Sequence, residues 1–271
     1  MIRKFIVLGV IMVLLLVSTA PAQAISYGEF DGEDHPNVGS IVIRIPERGT
    51  FQLCSGTLLE ENVFLTASHC TEPLTYYQDL FPGSVIGVVF DPTITETSYI
   101  YPGVWVTNPA YLSARGNDDP GDVAVILMSE VPAGVIPAQL PTEGLLDELK
   151  AQHLLDDTIF TAVGYGTVRN DKQKAWQSLL DNYDRNRVDQ EFLSLTNAWL
   201  TNSMNLATGN GGTCYGDSGG PHFLHTLDGT ETNIVVSVTV TGDANCKATD
   251  KTYRVDTVAA REFLGEFITL P

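Results

Sequence analysis

Short β-rich runs separated by turn-forming residues recur along most of this 271-residue chain, and they limit the folds open to it. Runs of this kind, punctuated by glycine, proline, asparagine and aspartate, are typical of antiparallel barrels and sandwiches. They lie at 38–45, 56–59, 63–67, 85–90, 99–106, 123–128, 158–164, 191–200, 221–227, 233–241 and 252–256. The pattern predicts an all-β protein with strands enough for about two barrels.

Four other segments have different patterns. They are a proline-containing candidate linker at 129–141, a helical pattern at 144–155, a polar loop or partial helix at 172–187, and a terminal helix at 257–269. The terminal helix rests on an imperfect apolar stripe of helical period.

The first residues have the layout of a secretory signal peptide. Arg3 and Lys4 precede a 13-residue apolar run, and Ala22-Gln23-Ala24 follows it. Such a run is shorter than the about 20 residues that a transmembrane helix needs, although a retained anchor is the alternative. We therefore expect residues 1–24 to be removed, which would leave a secreted protein that begins at Ile25 and does not contact membrane.

The chain is strongly acidic, with a formal net charge of −18 at pH 7. Loss of Arg3 and Lys4 with the leader would make it two charges more negative. An acidic surface repels nucleic acid and anionic lipid, so neither is an expected partner. We expect a soluble monomer whose partner is a polypeptide substrate.

The four cysteines of an exported chain favour two disulfides. Three pairings are possible, and the intervals suggest Cys54–Cys70 with Cys214–Cys246. Zinc is the competing use, but the chain has no Cys-x-x-Cys pair, so no metal site is predicted.

A serine framed by glycines lies in the segment Gly-Gly-Thr-Cys-Tyr-Gly-Asp-Ser-Gly-Gly-Pro, residues 211–221. Glycines let backbone N–H groups approach a reacting group, which makes Ser218 a candidate nucleophile. A glycine-rich surface turn is the alternative.

His69 and Asp122 are the candidate base and acid. His69 ends an apolar strand beside Cys70, where its imidazole would be held rigidly. Asp122 opens the apolar run Asp-Val-Ala-Val-Ile-Leu-Met, and a partly buried carboxylate needs a partner such as a histidine N–H. Taken singly, His69 could be structural and Asp122 a turn cap.

Three blocks, at 65–70, 122–128 and 216–221, together resemble the catalytic blocks of the chymotrypsin/trypsin family of serine endopeptidases. They occur in that family's order, His, Asp, Ser, at spacings of 53 and 96 residues. The resemblance implies two packed antiparallel six-stranded Greek-key barrels with a C-terminal helix. Residues 25–135 would carry His69 and Asp122, and residues 136–271 would carry Ser218.

The resemblance also implies a mechanism in which His69 activates Ser218, Asp122 orients His69, and an acyl-enzyme forms. The N–H groups of Gly216 and Ser218 would form the oxyanion hole. No cofactor is implied, and no spaced loop motif supports calcium binding.

By the same resemblance, the substrate side-chain pocket would have Gly212 and Thr213 at its floor and Ser237, Val238 and Thr239 along its wall. No acid stands at the floor, so we predict no preference for lysine or arginine. Lys251 could lie nearby and favour an acidic side chain.

Activation departs from the family pattern because no Ile-Val-Gly-Gly sequence is present. Asp217, which would pair with a new amino terminus, is kept. We expect signal cleavage to expose Ile25 for this role; alternatively, Asp217 has other partners and residues 25–37 form an arm.

Two rival functions remain. Gly216–Gly220 also fits the Gly-x-Ser-x-Gly pattern of α/β-hydrolases, whose acid and histidine follow the serine. Only His222 and His225 follow Ser218, both within seven residues, and the alternating strand–helix pattern is missing, which disfavours an esterase. A secreted protease-fold protein that binds partners without catalysis is the other rival, disfavoured because the whole triad is present.

Overall fold

The computed structural model describes residues 28–60, 62–113, 118–168 and 179–271. The strands in this part of the chain are β1 Glu29–Phe30, β2 Val38–Ile45, β3 Gly49–Leu59, β4 Val63–Thr66, β5 Val85–Val89, β6 Gly103–Thr107, β7 Ala124–Met128, β8 Ile159–Gly164, β9 Asn186–Leu195, β10 Trp199–Ser203, β11 Pro221–His225, β12 Glu231–Gly242 and β13 Thr249–Arg254. The helices are α1 Ser68–Thr71, α2 Leu74–Leu80, α3 Pro109–Ser113, α4 Leu145–Ala151 and α5 Val258–Leu264. None of the helices described is long and apolar enough to cross a membrane.

The first sheet has six strands in the order β5-β2-β3-β4-β7-β6. All of its pairings are antiparallel, and β3 pairs along the whole of β2, from Val38 opposite Thr57 to Ile45 opposite Gly49. The two edges approach each other at an isolated bridge between Val88 of β5 and Tyr101, just before β6. The sheet is therefore a barrel that is only partly closed.

The second sheet is a closed six-stranded barrel because β8 pairs with both β9 and β11. The short strand β1 adds to the outside of β9, with Phe30 opposite Asn186. In both barrels the fourth strand in chain order returns to lie beside the first, which is the Greek-key arrangement. The predicted all-β fold with two six-stranded antiparallel Greek-key units is confirmed.

One apolar cluster packs the two sheets against each other. Its buried members from the first sheet include Val38, Leu65 and Val125, and those from the second include Phe223, Val238 and Tyr253. Separate clusters fill the interior of each barrel. Apolar burial on this scale is the main source of stability in a β protein, and here it also fixes one barrel relative to the other at the edge where the candidate site lies.

The structure differs from the predicted elements in three places. The single run predicted at 191–200 is two strands, β9 and β10. The chain turns between them, and the N–H of Thr196 donates to the carbonyl of Trp199 across the turn at 2.9 Å. Strand β9 begins at Asn186, inside the segment predicted to be a loop, and residues 169–178 of that segment lie outside the described residues. The terminal helix is confirmed as α5, shorter than predicted, with the side chain of Thr257 accepting from the N–H of Ala260.

The removal of residues 1–24, the mature amino terminus at Ile25 and the domain boundary between residues 135 and 136 stay predictions. Residues 1–27 lie outside the described residues.

Candidate active site

His69 lies in α1, directly after the buried strand β4, and its ring is paired with Asp122. The Nδ1 atom of His69 is 2.9 Å from Oδ2 of Asp122, and the backbone N–H of His69 donates to Oδ1 of the same carboxylate at 3.0 Å. Asp122 is 4% exposed, whereas the His69 side chain is 29% exposed. The carboxylate therefore holds both the ring and the backbone of His69, which favours a proton on Nδ1 and leaves Nε2 to accept one.

The hydroxyl of Ser68 helps to join these two segments. It donates to the carbonyl of Val123 at 2.8 Å and is completely buried. This bond ties the start of α1 to the residue after Asp122, so the histidine and the aspartate are positioned by adjacent strands, β4 and β7, of one sheet.

A disulfide between Cys54 and Cys70 connects β3 to α1 beside the His69 ring. The sulfur of Cys70 lies 3.6 Å from the carbonyl oxygen of Ser218. Among the described residues, the cluster with metal-ligand spacing is formed by Cys54, His69 and Cys70, whose ligand atoms lie within 4.8 Å of one another. The two sulfurs are bonded to each other and are not thiolates, so this cluster does not make a metal site. The contact of Cys70 with the Ser218 carbonyl instead brings the Ser218 turn to the residue that follows His69.

The Ser218 turn requires glycines on both sides of the serine. Gly216 has φ +96° and Gly219 has φ +79°, a region that disfavours residues with a Cβ. A Cβ on Gly219 would lie 2.1 Å from the hydroxyl oxygen of Thr66, so the first barrel also leaves no space there. Within the described part of the chain, the N–H groups of Gly216 and Ser218 have no internal acceptor. Both N–H groups can therefore bind another oxygen.

Asp217 is almost completely buried beneath this turn. Its carboxylate accepts the N–H of Gly166 at 2.7 Å and the N–H of Cys214 at 2.8 Å. Burial raises the pKa of Asp217 to about 7, although these two hydrogen bonds oppose the rise. A Cβ on Gly164 or Gly166 would lie 2.2 or 2.3 Å from a carboxylate oxygen, which explains the glycines of the Gly164-Tyr165-Gly166 segment. Asp217 thus has partners within the second barrel; Ile25, its predicted partner, lies outside the described residues.

A cavity of about 200 Å³ opens beside Ser218. It is lined by Thr213, Cys214, Tyr215, Ser218, Thr239, Val240, Thr241, Gly242, Asp243, Ala244 and Cys246. The second disulfide, Cys214–Cys246, borders it. Both disulfides are those that the cysteine intervals suggested.

Of the residues predicted to form the pocket, Thr213 and Thr239 line this cavity, whereas Gly212, Ser237 and Val238 do not. Gly212 packs against Met204, and Ser237 and Val238 are buried within β12. The pairing of β12 with β13 is irregular between Thr239 and Thr241, and the strand beyond this bulge forms the cavity wall. The wall therefore lies further along the chain than the resemblance implied.

Asp243 is the one charged residue that lines the cavity among those described. Partial burial opposes its ionisation, but hydrogen bonds from the N–H groups of residues 245, 247, 248 and 249 outweigh that effect and lower its pKa. Its carboxylate is thus occupied by its own loop. Lys251 does not line the cavity; its Nζ atom lies 4.0 Å from the centre of the Trp199 ring.

Several residues that shape the site gave no signal in the sequence. The cavity wall from Thr241 to Ala244 lies outside the three blocks that match the family, so alignment of short motifs does not reach it. Gln52 and Ser55 contact the Ser218 turn from the other barrel, about 160 residues away in the chain. Cys54, which lies between them in the sequence, was predicted to form a disulfide, but nothing local marked Gln52 or Ser55 as contacts of the Ser218 turn.

The paired Greek-key sheets, with a His–Asp pair on one and a glycine-framed serine on the other, define a protein of the double-barrel serine protease type. The family model described as Trypsin matches residues 30–261, and the chain belongs to the trypsin family. A solved structure of HL collagenase has a TM-score of 0.59 and 17% sequence identity, covering 90% of this chain and 96% of that one. At this identity the likeness shows a shared fold. Comparison with curated proteins gives no match.

Proposed function

We propose that this protein is a serine endopeptidase with His69, Asp122 and Ser218 as its catalytic residues. The observation that carries the proposal is the double hydrogen bond from His69 to the buried Asp122, beside a serine turn with two free N–H groups. A protein that only bound partners would have no need for this arrangement. Membership of the trypsin family supports the same reaction.

In the proposed reaction, Nε2 of His69 takes the proton of Ser218 as Oγ attacks the scissile carbonyl. The N–H groups of Gly216 and Ser218 stabilise the oxyanion, and loss of one such donor typically costs about 10²–10³ in rate. The C–N bond then breaks, and His69 gives its proton to the leaving amine. Water, deprotonated by His69, hydrolyses the acyl-enzyme and the proton returns to Ser218.

We propose a small or medium-sized uncharged side chain for the cavity beside Ser218. Its lining is neutral apart from Asp243, whose carboxylate already accepts four backbone N–H groups. A substrate lysine or arginine would have to compete with those groups for the carboxylate. The proposal extends to a secreted enzyme, in keeping with the predicted leader and the paired cysteines, and to a monomer without a cofactor.

A fluorophosphonate probe tests the proposed catalysis, because it bonds covalently to an activated serine. Wild-type protein should be labelled at Ser218, and Ser218→Ala should not be labelled. His69→Ala should be labelled at least about 10³-fold more slowly. Absence of labelling in folded wild-type protein would leave a binding protein as the better account.

A library of peptide substrates that differ only in the residue before the scissile bond tests the specificity. Uncharged side chains should be cleaved fastest. Faster cleavage after lysine or arginine than after every uncharged residue would show that Asp243 is available to substrate, and would overturn this part of the proposal.

A further inference from the structure

We infer that Gln52, together with Ser55, is a positioning residue that holds Gly216 in the conformation of the oxyanion hole. The inference rests on the proposed function and adds residues to it. Gln52 and Ser55 lie on β3 of the first barrel, whereas Gly216 belongs to the serine turn of the second.

Two side chains of β3 donate to one carbonyl of the turn. Nε2 of Gln52 is 2.7 Å from the carbonyl oxygen of Gly216, and Oγ of Ser55 is 3.0 Å from the same oxygen. The Ser55 hydroxyl also accepts the N–H of Tyr165 at 3.0 Å, so its own hydrogen is left for Gly216. The backbone N–H of Ser55 donates to the carbonyl of Ser218 at 2.8 Å. Strand β3 thus binds two carbonyls of the turn.

The peptide that carries the Gly216 N–H is fixed at its other end. The carbonyl of Tyr215 accepts the N–H of Thr167 at 2.8 Å, and in a planar trans peptide this directs the Gly216 N–H to the opposite side. What remains free is rotation about the two backbone bonds of Gly216, and glycine restricts these least of all residues. The bonds from Gln52 and Ser55 to the following carbonyl remove that freedom.

The Gln52 amide also occupies the space above the Gly216 Cα. A Cβ built on Gly216 would lie 2.4 Å from Oε1 of Gln52. At φ +96° the glycine therefore has an amide against one face and two hydrogen bonds on its carbonyl. This combination keeps its N–H directed into the cleft before substrate arrives, which is the preorganisation that an oxyanion hole needs.

Gln52 is the better residue to change, since it is half-buried whereas Ser55 is completely buried. Gln52→Ala removes one of two donors and should lower kcat about tenfold. Gln52→Glu has nearly the same shape but places a carboxylate against the Gly216 carbonyl, and should lower kcat about 100-fold, towards the loss expected for a missing oxyanion donor. KM should change less than about threefold in both variants.

A peptide aldehyde and the corresponding alcohol separate positioning from general damage. The aldehyde forms an oxyanion with Ser218 and should bind Gln52→Glu at least about 30-fold more weakly than wild type, whereas the alcohol should bind both equally. Gln139→Glu, an exposed position away from the site, is the matched control for the added charge and should behave as wild type. Melting temperatures are measured in parallel.

The outcomes are distinct. If wild-type protein is not labelled by a fluorophosphonate, the proposed function fails. If wild type is labelled and the Gln52 variants match it in kcat and aldehyde affinity, only the positioning role is overturned. A fall in kcat accompanied by equal losses of aldehyde and alcohol affinity, or tracking a lower melting temperature, would also overturn it.

Discussion

His35 gives the chain a stability that should depend on pH. It lies between β1 and β2, is buried, and has a carboxylate at each ring nitrogen: Asp31 at Nδ1, and Glu231 at Nε2 with a distance of 2.7 Å. Asp31 is shared with the buried Arg185, whose Nε is 2.7 Å away. His225 faces Glu231 from β11 at 3.7 Å. A ring that donates from both nitrogens must be the charged imidazolium.

The size of the effect follows from the pKa. Burial by itself lowers the pKa of His35, but the hydrogen bonds and charges of Asp31 and Glu231 outweigh it and raise the pKa to about 9, from 6.5. At 1.36 kcal/mol per pKa unit, the protonated form contributes about 3 kcal/mol. Because the folded-state pKa is the higher one, this stability is present in full below pH 6.5 and is lost as the pH rises through 9. About 2–3 kcal/mol of it should disappear between pH 7 and pH 10.

Thermal unfolding from pH 7 to pH 10 measures this loss. For a domain of this size, a loss of about 2–3 kcal/mol corresponds to about 4–12 °C in melting temperature. The raised pKa of Asp217, about 7, also destabilises the fold as pH rises, but that loss falls mainly between pH 3.8 and 7 and is shared by wild type and a His35 variant.

His35→Gln is the matched control, since glutamine can donate a hydrogen bond but does not titrate. The variant should be less stable than wild type at pH 7, and the difference should shrink by about 2–3 kcal/mol at pH 10. If the melting temperatures of the two proteins change by the same amount between pH 7 and pH 10, the charged state assigned to His35 is refuted.

Three further predictions follow from the site. Asp122→Asn should lower kcat about 10⁴-fold at pH 7 without a comparable change in KM, measured by peptide hydrolysis; a loss below about tenfold would contradict the orienting role. Gly166→Ala should lower the free energy of unfolding by about 1–3 kcal/mol in urea, because its Cβ would overlap the Asp217 carboxylate; an unchanged midpoint would contradict the packing. Replacement of both Cys54 and Cys70 by serine should lower the free energy of unfolding by about 2–5 kcal/mol and slow fluorophosphonate labelling; unaltered labelling would show that His69 is held without the disulfide.

The sequence by itself determined the family, the all-β fold and the candidate catalytic residues. Short stretches of sequence indicate these features. His69 follows an apolar strand and is next to a cysteine, Asp122 precedes another apolar strand, and Ser218 lies between glycines. Strand positions could be predicted for the same reason, since β propensity and turn residues act over a few neighbours. The turn within the run at 191–200 was not predicted, because no glycine or proline marks the change of direction between β9 and β10.

The tertiary structure alone decided which residues surround the candidate nucleophile. The bonds of Gln52 and Ser55 to Gly216 join positions about 160 residues apart, and the ion pair of Asp31 with Arg185 joins positions 154 apart. The cavity wall lies along β12 beyond an irregularity in its pairing with β13. None of these contacts leaves a periodic or local pattern, since each depends on how segments far apart in the chain pack together and not on what a residue's neighbours in the chain are.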